Sequence, residues 1–261
     1  MFEQSEAHAF LDLVNASSPE QRHRYGLEGI TIGGVAVLSR PGPDMSFWCQ
    51  AVGFETPPTA DLIGEIIEHY RARGVAQARL IIPPQARTDE WAPIADKYGL
   101  TEGGGSLKLA VHAPFEVPAD PPGLRTALVT PDEAEQWSAV MWGVFGMSTP
   151  ANIDLTAAAL SQPHFRAYAC WDRDEIVATG LVRLHPEAAH LFSGATVPAH
   201  RGRGAQAAII AARMAAAQEA GCPVIVVETG TAPDGYNVSA RNLIRAGFVP
   251  QYERQTWLWT A

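Results

Sequence analysis

Apolar positions along this chain fall into short blocks whose spacing switches between strand and helix periods, most clearly in the second half. Leu124 to Val129 reads as a strand, and Thr130-Pro131-Asp132-Glu133 opens a helix. Thr130 is its N-cap, Pro131 sits at the first position, and the acids favour the positive helix end. Trp137, Val140, Met141 and Val144 form the apolar face of that helix. His164 to Trp171 and Glu175 to Leu184 read as a hairpin around Asp172-Arg173-Asp174, and Ala188 to Val197 as a further strand. The run from Ala205 to Ala220 holds nine alanines with Ile209, Ile210 and Met214 and no glycine or proline, which predicts a helix. A β-branched strand, Val224-Ile225-Val226-Val227, a second helix from Ser239 to Gly247-Phe248, and a final strand from Tyr252 to Trp259 complete the half.

The first half carries the same order. Phe47 to Phe54 is an apolar segment; Thr59-Ala60-Asp61 starts a helix whose apolar positions Leu62, Ile66, Ile67 and Tyr70 fall at helical spacing. Gly74 ends it, Arg79-Leu80-Ile81-Ile82 is a strand, Thr88-Asp89-Glu90 caps a helix to Tyr98-Gly99-Leu100, and Ser106 to Val111 is a strand. Val52 to Gly74 is 22 residues and Val197 to Gly221 is 24; Gly74 to Gly99 is 25 and Gly221 to Gly247 is 26. A repeat at that distance predicts duplicated domains, 1–117 and 124–261, joined by a linker at 118–123 within the proline-rich stretch Ala113 to Gly123.

Only the second copy carries an anion-binding device. Its strand runs into Arg201-Gly202-Arg203-Gly204 and then directly into a helix. Two glycines allow close backbone approach, and the free N–H groups at the helix start favour a phosphate. A tight turn before a packed helix is the structural alternative. The run is neither a Walker P-loop nor a dinucleotide-binding Gly-x-Gly-x-x-Gly, because Ala207 stands where the last glycine would be. The matching stretch of the first copy, Glu55-Thr56-Pro57-Pro58-Thr59, has an acid, no glycine and two prolines without N–H donors. That copy is expected to be structural or substrate-shaping.

The second-copy block resembles the GNAT superfamily of acyl-coenzyme A-dependent N-acetyltransferases. Members carry Val-x-Pro, then Arg/Gln-x-x-Gly-x-Gly/Ala before a helix, and an Asn/Ser-rich helix start closing with Gly-Phe. Val197, Pro198, Arg201, Gly204, Ser239, Asn242, Gly247 and Phe248 match as they stand, and the resemblance covers roughly residues 124 to 261. The family's final loop glycine is Gln206 here, and the tyrosine often found four residues before Gly-Phe is Leu243, which leaves the proton donor unassigned. The resemblance implies an α/β (α+β) fold of two tandem GNAT-like domains. Each is a mixed, mostly antiparallel twisted sheet flanked by helices, with the fourth and fifth strands splayed around the cofactor's pantetheine arm. It implies acetyl-coenzyme A as co-substrate, held by Ala195, Thr196, Val197, Arg201, Gly202, Arg203, Gly204, Ala205, Gln206, Ala207, Ser239 and Asn242, with no metal. The Val197 N–H is the implied donor to the thioester carbonyl. General-base candidates near the splay are Glu228, Ser193 and the phenol of Tyr236, with His190 as a proton relay. Trp142, Phe145 and Met147 follow the first helix where the family builds its acceptor site, or else belong to the core.

Composition narrows the partners. At 47% hydrophobic and 18% charged residues the chain is an ordinary globular sequence, and no apolar run reaches the roughly 20 residues of a membrane helix. A net charge of −9 argues against nucleic acid and suits a cationic amine, either a small molecule or a peptide. The first residues are acidic where a secretory signal is basic. Cys49, Cys170 and Cys222 sit in apolar contexts as reduced core residues, so the expected place is the cytoplasm and the expected state a monomer or homodimer. Two functions from different classes stand side by side: an N-acetyltransferase acting on a primary amine, and a non-catalytic acyl-coenzyme A-binding or sensing module. An acyltransferase for longer chains is a third.

Overall fold

The computed structural model describes residues 1–42, 47–118, 123–232 and 237–261. In chain order the first elements are α1 (Phe2–Ala16), α2 (Pro19–Tyr25), β1 (Glu28–Ile32), β2 (Val35–Ser39), β3 (Gln50–Val52), α3 (Ala60–Ala72), β4 (Gln77–Ile82), α4 (Trp91–Lys97) and β5 (Thr101–His112). They continue with β6 (Arg125–Leu128), α5 (Ala134–Val144), α6 (Pro150–Ala159), β7 (Phe165–Asp172), β8 (Glu175–Arg183), β9 (Ala189–Thr196), α7 (Ala205–Glu219), β10 (Val224–Gly230), α8 (Val238–Arg245) and β11 (Val249–Thr260). The chain divides into two compact units, neither contiguous in sequence. Unit 1 contains Met1–Lys108 and Tyr252–Ala261; unit 2 contains Leu109–Thr229 and the segment ending at Gln251.

Unit 1 orders its strands β1-β2-β3-β4-β11-β5. β3 and β4 are parallel, with Ala51 opposite Leu80. The last strand of the chain completes this sheet: β11 runs antiparallel to β4 from Gln255↔Ile82 to Thr260↔Gln77. The pattern of Tyr252 to Trp259 predicts the strand but carries no information on its neighbour. Burial explains the choice. Trp259 enters a core made by Ile63, Ile66, Ile67 and Tyr70 of α3 and Trp91 and Ile94 of α4, and its indole stacks on Tyr70 at 6.0 Å. Large aromatic side chains of this kind dominate core energetics.

A second tie is ionic. Glu3 and Glu6 of α1, Lys108 of β5 and Arg254 of β11 are all buried. Lys108 Nζ lies 3.1 Å from Glu6 and 3.5 Å from Glu3. Arg254 Nη1 lies 3.1 Å from Glu3, its Nη2 donates to Glu6, and its Nε donates to Ser106 Oγ at 3.2 Å. The Tyr252 hydroxyl donates to Glu3 at 2.9 Å, and burial followed by the charge of Glu3 pushes its pKa well up. Two acids against two bases leave the cluster neutral, so each charge is compensated only while all four are present. Glu6→Ala leaves Lys108 and Arg254 sharing the single carboxylate of Glu3, with one buried positive charge uncompensated, and the expected loss is about 3–5 kcal/mol in urea unfolding. A loss within 0.5 kcal/mol, the range of an ordinary surface substitution, would show that the cluster is hydrated and does not tie the chain ends together.

Unit 2 orders β10-β9-β8-β7-β6. β6, β7, β8 and β9 pair antiparallel in turn, and β9 and β10 are parallel. Both units are therefore mixed, mostly antiparallel sheets with helices. The hairpin around Asp172 to Glu175 stands as the alternation predicts. The helix expected from Thr130 starts with a 3-10 turn, Pro131–Glu133, closed by a capping box in which Glu133 accepts from the Thr130 N–H at 2.9 Å. Helix α7 needs Gly180 on β8: a Cβ there would lie 2.3 Å from Ile209 Cγ2. Cys49, Cys170 and Cys222 are buried thiols, none of them in a disulfide. No helix among the described residues is long and apolar enough to cross a membrane.

Candidate active site

β9 and β10 part company within unit 2. Their parallel register covers Ala189↔Ile225, His190↔Val226 and Leu191↔Val227, yet β9 continues to Thr196 and β10 to Gly230. A bulge on the other edge of β9 accompanies the parting. Leu181 pairs with Phe192 and Thr179 with Ala195, so Gly180 alone faces both Ser193 and Gly194. Ser193 takes φ 55°, in the left-handed region. Thr179 Oγ1 donates to the Ser193 carbonyl at 3.2 Å.

The bulge rests on a buried cation. Arg213 of α7 donates through Nε to the Ile209 carbonyl at 3.1 Å and through Nη1 to Phe192 at 3.2 Å and Leu181 at 3.4 Å. Burial pushes its pKa down to about 9, so it stays charged at neutral pH and serves carbonyls at both margins of the bulge. Sequence reasoning missed it; the available signal was an arginine in an otherwise alanine-rich helix.

Past the bulge the chain enters the predicted loop. The Val197 N–H donates to the Val177 carbonyl at 2.9 Å. That bond belongs to the ladder with β8 and corrects the expectation that Val197 polarises a thioester. Alternation along a strand turns the neighbouring Thr196 N–H to the opposite edge, the side of β10. Gly202 and Gly204 have φ 75° and 87°, which glycine adopts without strain. Arg203 is held by Asp172 at 2.7 Å and His200 Nδ1 at 3.0 Å, and the guanidinium in turn holds the Asp172 carboxyl below its usual range. Its folded value lies under the unfolded one, so this anchor of the loop is present above the ordinary aspartate range and is lost as the pH falls through the lowered value.

Helix α7 begins at Ala205 with Gly204 as N-cap and no side-chain cap. Its first N–H groups thus keep their capacity for an anion. A cavity of about 710 Å³ opens there. Its walls include Ala195, Thr196, Arg201, Gly202, Gly204, Ala205, Gln206, Ala207 and Asn242, which brings together most of the predicted cofactor set, and Gly194, which was not in it. Val144, Phe145, His200, Val238 and Arg245 also line it and were not in that set. Val197, Arg203 and Ser239 do not line it; Ser239 accepts from Gln206 Nε2 at 3.1 Å. Cationic side chains, backbone donors and apolar walls suit a phosphorylated ligand with an apolar arm.

Among the base candidates, Glu228 stands on β10 one residue past the last paired position, with its side chain 14% exposed and 2.9 Å from Nε2 of buried His190. Ser193 sits in the bulge, and Tyr236 lies outside the described residues. Trp142 is core, its Nε1 donating to Thr156 at 3.0 Å, whereas Phe145 and Met147 are exposed.

The counterpart region of unit 1 differs at each point. Thr59 caps α3 by accepting from the Leu62 N–H at 3.2 Å. Gln4 of α1 donates to the Gly53 carbonyl at 2.8 Å, and Ala7 packs so close to Gly53 that an added Cβ would lie 2.8 Å away. α1 therefore covers the end of β3.

Residues 132–248 match the model of the Acetyltransferase (GNAT) family. Among solved structures, a GCN5-related N-acetyltransferase from Kribbella flavida aligns at TM-score 0.65 and 19% identity over 96% of both chains. A GCN5-related N-acetyltransferase from Sphaerobacter thermophilus aligns at TM-score 0.61 and 14% identity, over 98% of this chain and 91% of that one. A tandem GNAT protein from the clavulanic acid biosynthesis pathway aligns at TM-score 0.59 and 16% identity, over 99% and 95%. At these identities the likeness is one of fold. No curated protein matches significantly.

Proposed function

We propose, from the GNAT domain at residues 132–248, that this protein transfers the acetyl group of acetyl-coenzyme A to a primary amine. The observation that carries the reading is the uncapped start of α7 opening, with Gly202 and Gly204, into a cavity bounded by the parted strand β9. The cofactor supplies an activated acetyl thioester. The N–H groups of Ala205, Gln206 and Ala207 hold its diphosphate, and the pantetheine arm runs along Ala195 and Thr196. The Thr196 N–H takes the donor role to the thioester carbonyl, since the one at Val197 is spent on Val177. Glu228 accepts the amine proton, with His190 orienting its carboxylate. The amine nitrogen bonds to the acetyl carbon as the C–S bond breaks, and the departing thiolate takes a proton by way of solvent. A non-catalytic acyl-coenzyme A sensor is the second reading, favoured by Leu243 at the position of the usual tyrosine.

The capped α3 and the α1 cover over Gly53 support a single cofactor site per chain, with the first copy in a structural or substrate-shaping role. Isothermal titration with acetyl-coenzyme A is expected to give one site per chain. Two equivalent sites would overturn the assignment of the first copy. A thermal-shift screen of amines in the presence of coenzyme A identifies the acceptor class.

A further inference from the structure

The cavity has a second cationic region that the glycine loop does not explain. Gln206, which stands where the family has a glycine, spans from the first turn of α7 to α8. Its Oε1 accepts from Asn242 Nδ2 at 2.6 Å, and its Nε2 donates to Ser239 Oγ at 3.1 Å. Asn242 uses its other amide atom as well: Oδ1 accepts from Arg245 Nη1 at 3.0 Å. Each amide's orientation is thus set by its neighbours, and the chain Ser239–Gln206–Asn242–Arg245 ends on a guanidinium that lines the cavity. Arg245 lies only two side chains from the start of α7. On the loop itself, Arg203 is engaged by Asp172 and does not line the cavity.

We infer that Arg245, positioned by Gln206 and Asn242, forms a phosphomonoester subsite that takes the 3′-phosphate of coenzyme A. This subsite presupposes coenzyme A as the ligand of the cavity. The chemistry then follows from connectivity: the diphosphate and the 3′-phosphate hang from one ribose, so a cavity that seats the first places the second within a sugar's width. A planar guanidinium with several donors matches a phosphate dianion better than any neutral group does. The Gln206 side chain, a departure from the family pattern, thereby gains a role as a positioning group.

Calorimetric titration of coenzyme A and of 3′-dephospho-coenzyme A into the full-length protein and its variants is the test. The unmodified protein is expected to bind coenzyme A roughly tenfold or more tightly than the dephospho form. Arg245→Gln removes that preference while leaving affinity for dephospho-coenzyme A unchanged, and Gln206→Gly reduces it. Arg241→Gln, on the same helix but not lining the cavity, keeps it. Equal weakening of both ligands by Arg245→Gln, or a preference that survives the change, overturns the subsite while leaving coenzyme A binding intact. If the unmodified protein binds neither ligand, the coenzyme A reading falls and the subsite with it.

Discussion

Gly204→Val is expected to raise the Kd for coenzyme A by more than roughly 100-fold. Gly204 has φ 87° and is the residue from which α7 departs, and it lines the cavity. A β-branched residue at positive φ is a conformational outlier costing on the order of 1–2 kcal/mol in backbone strain alone. The loop can escape that cost only by rotating the peptide and misdirecting the first N–H groups of the helix. If it does not rotate, two methyl groups stand where a diphosphate must approach the backbone. Either route removes the contact. The site is a loop at the surface, so the fold is expected to persist, and thermal unfolding of the variant checks this. A variant that binds coenzyme A as tightly as the parent would show that the diphosphate lies elsewhere.

Glu228→Gln is expected to lower kcat by roughly 10²-fold at neutral pH, the contribution of a general base. A primary alkylamine is mostly protonated there, so its proton must leave before or during attack. Gln keeps the shape of the side chain and can still meet His190, but it accepts no proton. The variant's residual rate is then expected to climb with pH as solvent takes over the deprotonation of the amine. If Glu228 only attracts a cationic acceptor, KM for the amine rises and kcat holds. Unchanged kinetics in both parameters would pass the role to Ser193, His190 or Tyr236 acting through a water.

The glycine loop and the helix start after it were legible because they are local. Glycines at two positions, the helix start and the strand before them are consecutive in sequence, and Gly202, Gly204 and the first turn of α7 stand together in the cavity wall. The duplication was legible for a similar reason, since helix stops at Gly74 and Gly221, and at Gly99 and Gly247, recur with nearly constant spacing. Pairing was not legible. Strand β11 reads as a strand from its pattern, but its place beside β4 depends on Trp259 fitting a core built some 180 residues earlier. The hydrogen bond that occupies the Val197 N–H is likewise a matter of register with β8, which no motif encodes. His190 and Glu228 meet only because β9 and β10 are parallel in one particular register. Gly33-Gly34 between β1 and β2 is a hairpin signal of the kind that demands positive φ at both positions, and it marks a strand pair that the apolar pattern alone does not.

The most direct measurement is acetyl transfer itself. Acetyl-coenzyme A labelled in the acetyl group is incubated with the full-length protein and a panel of small-molecule and peptide amines, and products are read by mass spectrometry alongside release of the free thiol. An acetyltransferase gives an acetylated amine and one equivalent of thiol per transfer, with both slowed roughly 10²-fold in Glu228→Gln and lost in Gly204→Val. Stoichiometric binding of acetyl-coenzyme A with no labelled amine and no thiol above the uncatalysed rate, across the whole panel, would make the protein a sensor of acyl-coenzyme A instead.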